Sequence, residues 1–188
     1  MFIQTEDTPN PSVMKFLPGR EVLASGTREF RGESDAMASP LAVDLFDIPG
    51  VTRVFYGTDF VTVTKDDDSE WPHLKAPILA AIMDHFTSGV ALFSNTTAEA
   101  VNETVYEGET AAIVAEIKDL LDSKVRPAVA QDGGDILFAR FEADTGVVWL
   151  HMRGACAGCP SSAATLKSGV ENMLRHYIPE VTRVEQAL

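Results

Sequence analysis

Cysteine is almost missing from this chain: 188 residues hold only two, Cys156 and Cys159. One such pair cannot build the disulfide framework of a small secreted domain. Long apolar runs are missing too, and none approaches the roughly 20 residues a membrane-crossing helix needs. Positive charge is scarce. Fifteen Lys and Arg face 28 Asp and Glu, a net charge of −13, so the chain lacks the basic footprint that phosphate backbones require. Neither nucleic acid nor a membrane is therefore expected as a partner. The catalytic signatures G-x-S-x-G, H-E-x-x-H and a phosphate-binding glycine loop are absent. The four histidines (His73, His85, His151, His176) are scattered, and the expectation is a non-enzymatic protein. The opening Met1-Phe2-Ile3-Gln4-Thr5-Glu6-Asp7 is acidic and has none of the zones of a secretory signal. A reducing compartment follows: the cytoplasm of a bacterium, or the mitochondrial matrix for a processed eukaryotic form.

What is present describes a globular chain, with 45% hydrophobic and 23% charged residues. Its length suits one medium domain or two small ones. The acid is unevenly shared. Residues 1–109 hold seven Lys/Arg against eighteen Asp/Glu, a balance of −11, whereas residues 110–188 hold eight against ten, a balance of −2. Polar residues 94–108 separate these parts and read as a linker. The expected division is a domain over 1–93, the linker over 94–108 and a second domain over 109–188.

Before the linker, strands are expected at Phe2–Gln4, Val13–Phe16, Val51–Tyr56 and Phe60–Thr64, the last two forming a hairpin around Gly57-Thr58-Asp59. Residues 32–38 read as a loop. Ser39-Pro40 has the form of a helix cap followed by proline at the first helical position. A longer helix runs to about Ser88, where Gly89 stops it. Beyond the linker the expected order is α-β-β-α-β: a helix from about Glu109 broken or kinked at Pro127, a hairpin around Asp144-Thr145-Gly146, a helix whose apolar face runs over Ala163 to Tyr177, and a strand over Val181–Glu185. The fold class is α+β, two small domains joined by a polar linker. The phrase Ile48-Pro49-Gly50-Val51-Thr52-Arg53-Val54 is echoed at Ile178-Pro179-Glu180-Val181-Thr182-Arg183-Val184, which shared junction chemistry explains as well as duplication.

The chemistry concentrates in Gly154-Ala155-Cys156-Ala157-Gly158-Cys159-Pro160-Ser161-Ser162. An apolar, β-branched stretch precedes it and a helical periodicity follows, so the cysteines fall in a strand-to-helix turn. Pro160 suits a first helical turn, and Ser161 or Ser162 can cap it. The helix N-terminus is expected to favour thiolate over thiol, and Gly154 and Gly158 allow close backbone approach. Zinc, an iron–sulfur cluster, thiol–disulfide exchange and a merely structural pair all fit this spacing. Thioredoxin-like exchange is disfavoured because too little chain follows Cys159 to complete that sheet. Zinc or a cubane cluster needs about four ligands where one chain has two, which a two-fold dimer would supply.

Arg126-Pro127, Gln131-Asp132-Gly133-Gly134-Asp135, the cysteine segment, Thr165-Leu166-Lys167 and Ile178-Pro179-Glu180-Val181 resemble the NifU-like C-terminal domain of Nfu-type iron–sulfur scaffold proteins. Thr8-Pro9-Asn10-Pro11, Ser39-Pro40-Leu41-Ala42 and Asp59-Phe60-Val61-Thr62-Val63-Thr64-Lys65 resemble the Nfu N-terminal domain. The resemblance implies that Cys156 and Cys159 of each subunit bind a [4Fe–4S] cluster bridging a homodimer. It also implies that the cluster arrives from an upstream donor and passes to apo iron–sulfur proteins. A dithiol oxidoreductase and a zinc-bridged structural dimer are the alternatives. The Asp132–Asp135 turn is expected near the site or in a capping role, and Lys167 as a solvated residue.

Overall fold

A computed structural model describes residues 2–94, 105–157 and 160–187, with the side chains of 160–163 left aside. The chain forms two compact units, Met1–Ala98 and Glu99–Leu188.

The first unit begins with β1 (Gln4–Asp7) and β2 (Val13–Leu17), followed by β3 (Arg28–Phe30), α1 (Glu33–Ala36) and α2 (Pro40–Phe46). Then come β4 (Val51–Tyr56), β5 (Val61–Lys65) and α3 (Trp71–Ser88). The strands make one antiparallel sheet in the order β1-β2-β5-β4-β3. Alternation sorts the side chains. Met14, Phe16, Val54, Tyr56, Val61 and Val63 share a core with Leu41 and Leu45 of α2 and Leu74, Ile78 and Ile82 of α3. Ser39 caps α2, accepting from the Ala42 N–H at 3.4 Å while its hydroxyl meets Tyr56 Oη at 3.0 Å. That bond satisfies the phenol where burial would otherwise penalise it. Gly89 ends α3 with φ of 71°, the left-handed conformation that a Cβ disfavours. Pro72 lies in the first turn of α3, and Pro77 is accommodated inside the helix.

Three local expectations shift. The first strand is Gln4–Asp7 rather than Phe2–Gln4, because antiparallel pairing with β2 runs from Gln4↔Leu17 to Asp7↔Met14. Phe2 is left 79% exposed. The stretch 32–38 contains a single helical turn, α1, and β3 is a short edge strand. A three-residue strand has too little alternation to announce itself.

The second unit comprises α4 (Gly108–Leu120), a π-helical turn (Leu121–Val125), α5 (Arg126–Gln131), β6 (Gly134–Glu142), β7 (Val147–Gly154), α6 (Pro160–Tyr177) and β8 (Arg183–Gln186). The expected α-β-β-α-β order is present. Pro127 follows an interruption of the first helix, the π turn over Leu121–Val125. It falls in the first turn of α5, just after the π turn, where a wider loop of backbone tolerates the hydrogen bond that proline cannot donate. The sheet order is β6-β7-β8, with β6 and β7 antiparallel and β8 parallel to β7. The last strand starts at Arg183 rather than Val181, since Val181 turns back to donate to Ile178 O at 3.0 Å. The same bond forms from Val51 to Ile48 at 3.1 Å, so the two echoed segments share one turn while leading into strands of different pairing. Ile117, Leu121, Val129, Ile136, Val148, Leu150, Val170, Leu174 and Val184 form the second core.

The stretch read as a linker, 94–108, spans the boundary between units, and residues 95–104 within it lie outside the described residues. Its two ends are engaged. Ser94 N–H donates to Ala38 O at 2.9 Å in the first unit. In the second unit Tyr106 Oη accepts from Phe141 N–H at 2.8 Å, its ring edge-on to Phe138.

Candidate functional site

The site lies where β7 runs out toward α6. Two glycines meet at the end of the β6–β7 ladder, Gly134 opposite Gly154. Gly154 has φ of 61°, which lets the chain leave the strand and turn at once. The turn is then held by backbone bonds: Ala155 N–H donates to Gly133 O at 3.1 Å, Cys156 N–H to Arg153 O at 3.3 Å, and Ala157 N–H to Gly154 O at 3.0 Å. Ala155, Cys156 and Ala157 are all buried.

Cys156 is a buried free thiol that joins the second core. Burial pushes this thiol up to about 12, and the negative charges of Asp132 and Asp135 add to the effect. The expectation of a thiolate favoured by the helix N-terminus is not met at Cys156. Helix α6 starts at Pro160, beyond the range of the dipole's effect on the earlier cysteine, and desolvation of a sulfur packed inward opposes ionisation. Cys159 and Gly158, together with the side chains of Ser161 and Ser162, lie outside the described residues.

The Gln131–Asp135 segment, whose place was left open by its sequence, packs directly against the cysteine turn. A methyl group at Gly134 would overlap Cys156 Sγ and stand 2.9 Å from Arg153 O. Asp135, only 3% exposed, is gripped by Arg126: Nε donates to Oδ1 at 2.8 Å and Nη2 to Oδ2 at 3.0 Å. Oδ1 also accepts from Ile136 N–H at 2.9 Å, and Arg126 Nη1 reaches Asp122 Oδ1 at 2.9 Å. This planar fork on a buried carboxylate is the strong form of the ion pair. It raises the Arg126 guanidinium above its ordinary value, chiefly through the hydrogen bond to Asp135. Arg126 was legible as part of a motif, but its contact with Asp135 was not, because nine residues and a helix-to-strand turn separate them.

Lys167 has a different task from the solvated one expected. Its Nζ donates to Glu185 Oε2 at 2.6 Å, tying α6 to β8. The same pairing holds the Glu185 carboxyl below the usual carboxylate range. Of the four histidines, His85 is buried in α3 of the other unit.

With this geometry in view, comparison with known proteins is specific. Residues 3–89 match the family model "Scaffold protein Nfu/NifU N terminal", and residues 117–185 match the "NifU-like domain". The mitochondrial NifU-like protein 5 of Arabidopsis thaliana is 53% identical over 186 residues, covering 99% of this chain and 68% of its own length. The mitochondrial NFU1 iron-sulfur cluster scaffold homolog of Drosophila ananassae is 49% identical over 187 residues, covering 99% of this chain and 64% of its own. The chain thus spans about two thirds of the length of these relatives. A solution structure of a NifU-like protein from Saccharomyces cerevisiae, 27% identical, overlays 50% of this chain and 86% of its own with a TM-score of 0.47. Two family models covering most of the sequence, and relatives alike along nearly all of it, assign the chain to the Nfu/NifU scaffold-protein family.

Proposed function

We propose that this protein is an iron–sulfur cluster scaffold or carrier. It holds a labile [4Fe–4S] cluster between two copies of the chain, through Cys156 and Cys159 of each, and passes that cargo to apo iron–sulfur proteins. The observation that carries this reading is the position of both cysteines, the only two in the sequence, in the segment between β7 and α6 inside the NifU-like match. Thiolates are the ligands iron–sulfur clusters take, and a cubane asks for four. One chain supplies two, so a second copy completes the set.

The chain's own residues have separable tasks in this reading. Cys156 must lose its proton and turn its sulfur outward before it can bind, because its resting place is apolar and beside two carboxylates. Cargo binding supplies that driving force, since a ligating thiol is deprotonated on coordination. Gly133 and Gly154 keep the turn's backbone in place while the side chain rotates. The first unit, which has seven Lys/Arg against fourteen Asp/Glu and no cysteine, serves delivery: its acid steers basic partners toward the carrier. The protein is a carrier and not an enzyme. Relatives named as mitochondrial favour the mitochondrial matrix over a bacterial cytoplasm as its compartment. The proposed cluster-binding unit begins no later than Tyr106, ahead of the Glu109 boundary read from the sequence.

Anaerobic reconstitution followed by a visible spectrum and metal analysis tests the reading. Broad iron–sulfur absorption with iron and sulfide in equal amounts is expected. Colourless protein with bound zinc, or metal-free protein with a reversible Cys156–Cys159 disulfide, would replace it with one of the two alternatives.

A further inference from the structure

We infer that Arg126, Asp135 and Gly134 form a positioning platform for the Cys156 turn, an ion-pair clamp that fixes the two-glycine ledge on which this ligand-bearing turn rests. The chain of contacts is short. Arg126 grips both oxygens of buried Asp135 at 2.8 and 3.0 Å and is itself steadied by Asp122 at 2.9 Å. Asp135 directly follows Gly134, which leaves no room for a methyl group beneath Cys156 Sγ. Gly133 O, one residue further back, accepts the Ala155 N–H at 3.1 Å. The clamp thus fixes the start of β6, and that strand start fixes the turn through one hydrogen bond and one close contact.

The choice of residues supports positioning over simple stabilisation. A buried ion pair is weak evidence of net stability, since well-packed apolar groups often do as well, but it imposes one geometry. A bidentate guanidinium–carboxylate pair fixes orientation as well as distance. Gly134 is not in the left-handed region, so its lack of a side chain answers to the space beside Cys156 and Arg153 and not to its own backbone. Both oxygens of Asp135 are held by Arg126 and the Ile136 N–H, so the clamp reaches the turn through the backbone, in addition to the Asp135 charge that lies near the sulfur.

The platform predicts an effect confined to one cysteine. In the full chain without cargo, iodoacetamide should modify Cys156 slowly, because alkylation of a buried thiol tracks local opening. Arg126→Lys keeps the charge and loses the fork. Asp135→Asn keeps the shape and presents an amide N–H₂ toward the guanidinium. Gly134→Ala intrudes on the sulfur directly. Each should raise the Cys156 alkylation rate about tenfold, which corresponds to about 1.4 kcal/mol of local opening, while the Cys159 rate, read from the same digests by mass spectrometry, changes little. Far-ultraviolet circular dichroism identifies the variants that fold, and Arg126→Lys, the mildest, decides the matter if the other two do not. Equal Cys156 rates in folded Arg126→Lys and wild-type protein would overturn the platform, as would equal acceleration at both cysteines.

A second readout rests on the scaffold reading above. After anaerobic reconstitution, Arg126→Lys should lose its visible circular dichroism signal several times faster than wild type. If wild-type protein takes up no cluster, the scaffold reading fails and the alkylation result still stands. A wild-type cluster that persists no longer than the variant's refutes the platform alone.

Discussion

Removing the hydroxyl of Tyr106 should destabilise the second unit, even though this residue lies in a stretch whose sequence reads as linker. Tyr106 Oη accepts the Phe141 N–H at 2.8 Å, and its ring packs edge-on to Phe138 with centroids 6.3 Å apart. Phe141 is buried, and the β6–β7 register slips just before it, between Phe138 and Arg140. A donor beside such a bulge depends on a side chain for its partner. Leaving a buried donor unpaired costs about 1–3 kcal/mol, and partial exposure of Tyr106 places Tyr106→Phe at the lower end, about 1 kcal/mol. Tyr106→Ala also loses the aromatic pair, worth about 0.5–1.5 kcal/mol, for a total near 2 kcal/mol before area loss is counted. For a unit of this size about 1 kcal/mol is a shift of roughly 4–8 °C in Tm. Urea and thermal unfolding of the 99–188 fragment measures both variants. A Tyr106→Phe midpoint indistinguishable from wild type would refute this account of the bond and return residue 106 to the linker.

Four further outcomes are expected. Cys156→Ser and Cys159→Ser should each abolish cluster retention, because a dimer of either keeps two of four thiolates; near-stoichiometric iron in either variant would contradict the ligand assignment. Gly169 lies in α6 with open space where a side-chain methyl group would stand. It should accept alanine with a gain of about 0.5–1 kcal/mol, and a loss on urea unfolding would count against this helix. Burial holds His85 below its ordinary value of 6.5, partly offset by Asp44. Its stabilising contribution is therefore complete above pH 6.5 and lost as pH falls through the lower folded value. The unfolding free energy of a 1–94 fragment should drop across that window, and His85→Gln should flatten the drop; an unchanged slope refutes it. Deleting residues 1–93 should leave cluster content per dimer intact while slowing transfer to at least some apo-proteins at low salt, and equal transfer rates across a panel would assign the first unit another task.

Much of this architecture was legible because periodicity and punctuation agree along the chain. Ser39-Pro40 before α2, Gly89 after α3 and Asp144-Thr145-Gly146 between β6 and β7 each mark a boundary by a local rule, and the structure follows them. What the sequence hid is non-local. The three-residue β3 is set by pairing with β4, the π turn by the need to admit Pro127, and the parallel sense of β8 by the crossover through α6. At the site, the two cysteines stood out by their spacing, whereas the inward burial of Cys156 depends on contacts from Gly134 and on a core drawn from every element of the unit. The Gln131-Asp132-Gly133-Gly134-Asp135 signal was visible; its target was not, because the register that sets Gly134 opposite Gly154 is fixed by the whole hairpin.

The central claim is that two chains share one cluster, so cargo binding and dimer formation are linked by mass action. Anaerobic native mass spectrometry of the reconstituted full chain, taken across a dilution series and again after chelation of iron, tests it most directly. The account predicts a dimer carrying four irons and four sulfides, and a weaker dimer once the metal is removed. A monomer that retains an intact four-iron cluster at high dilution contradicts it.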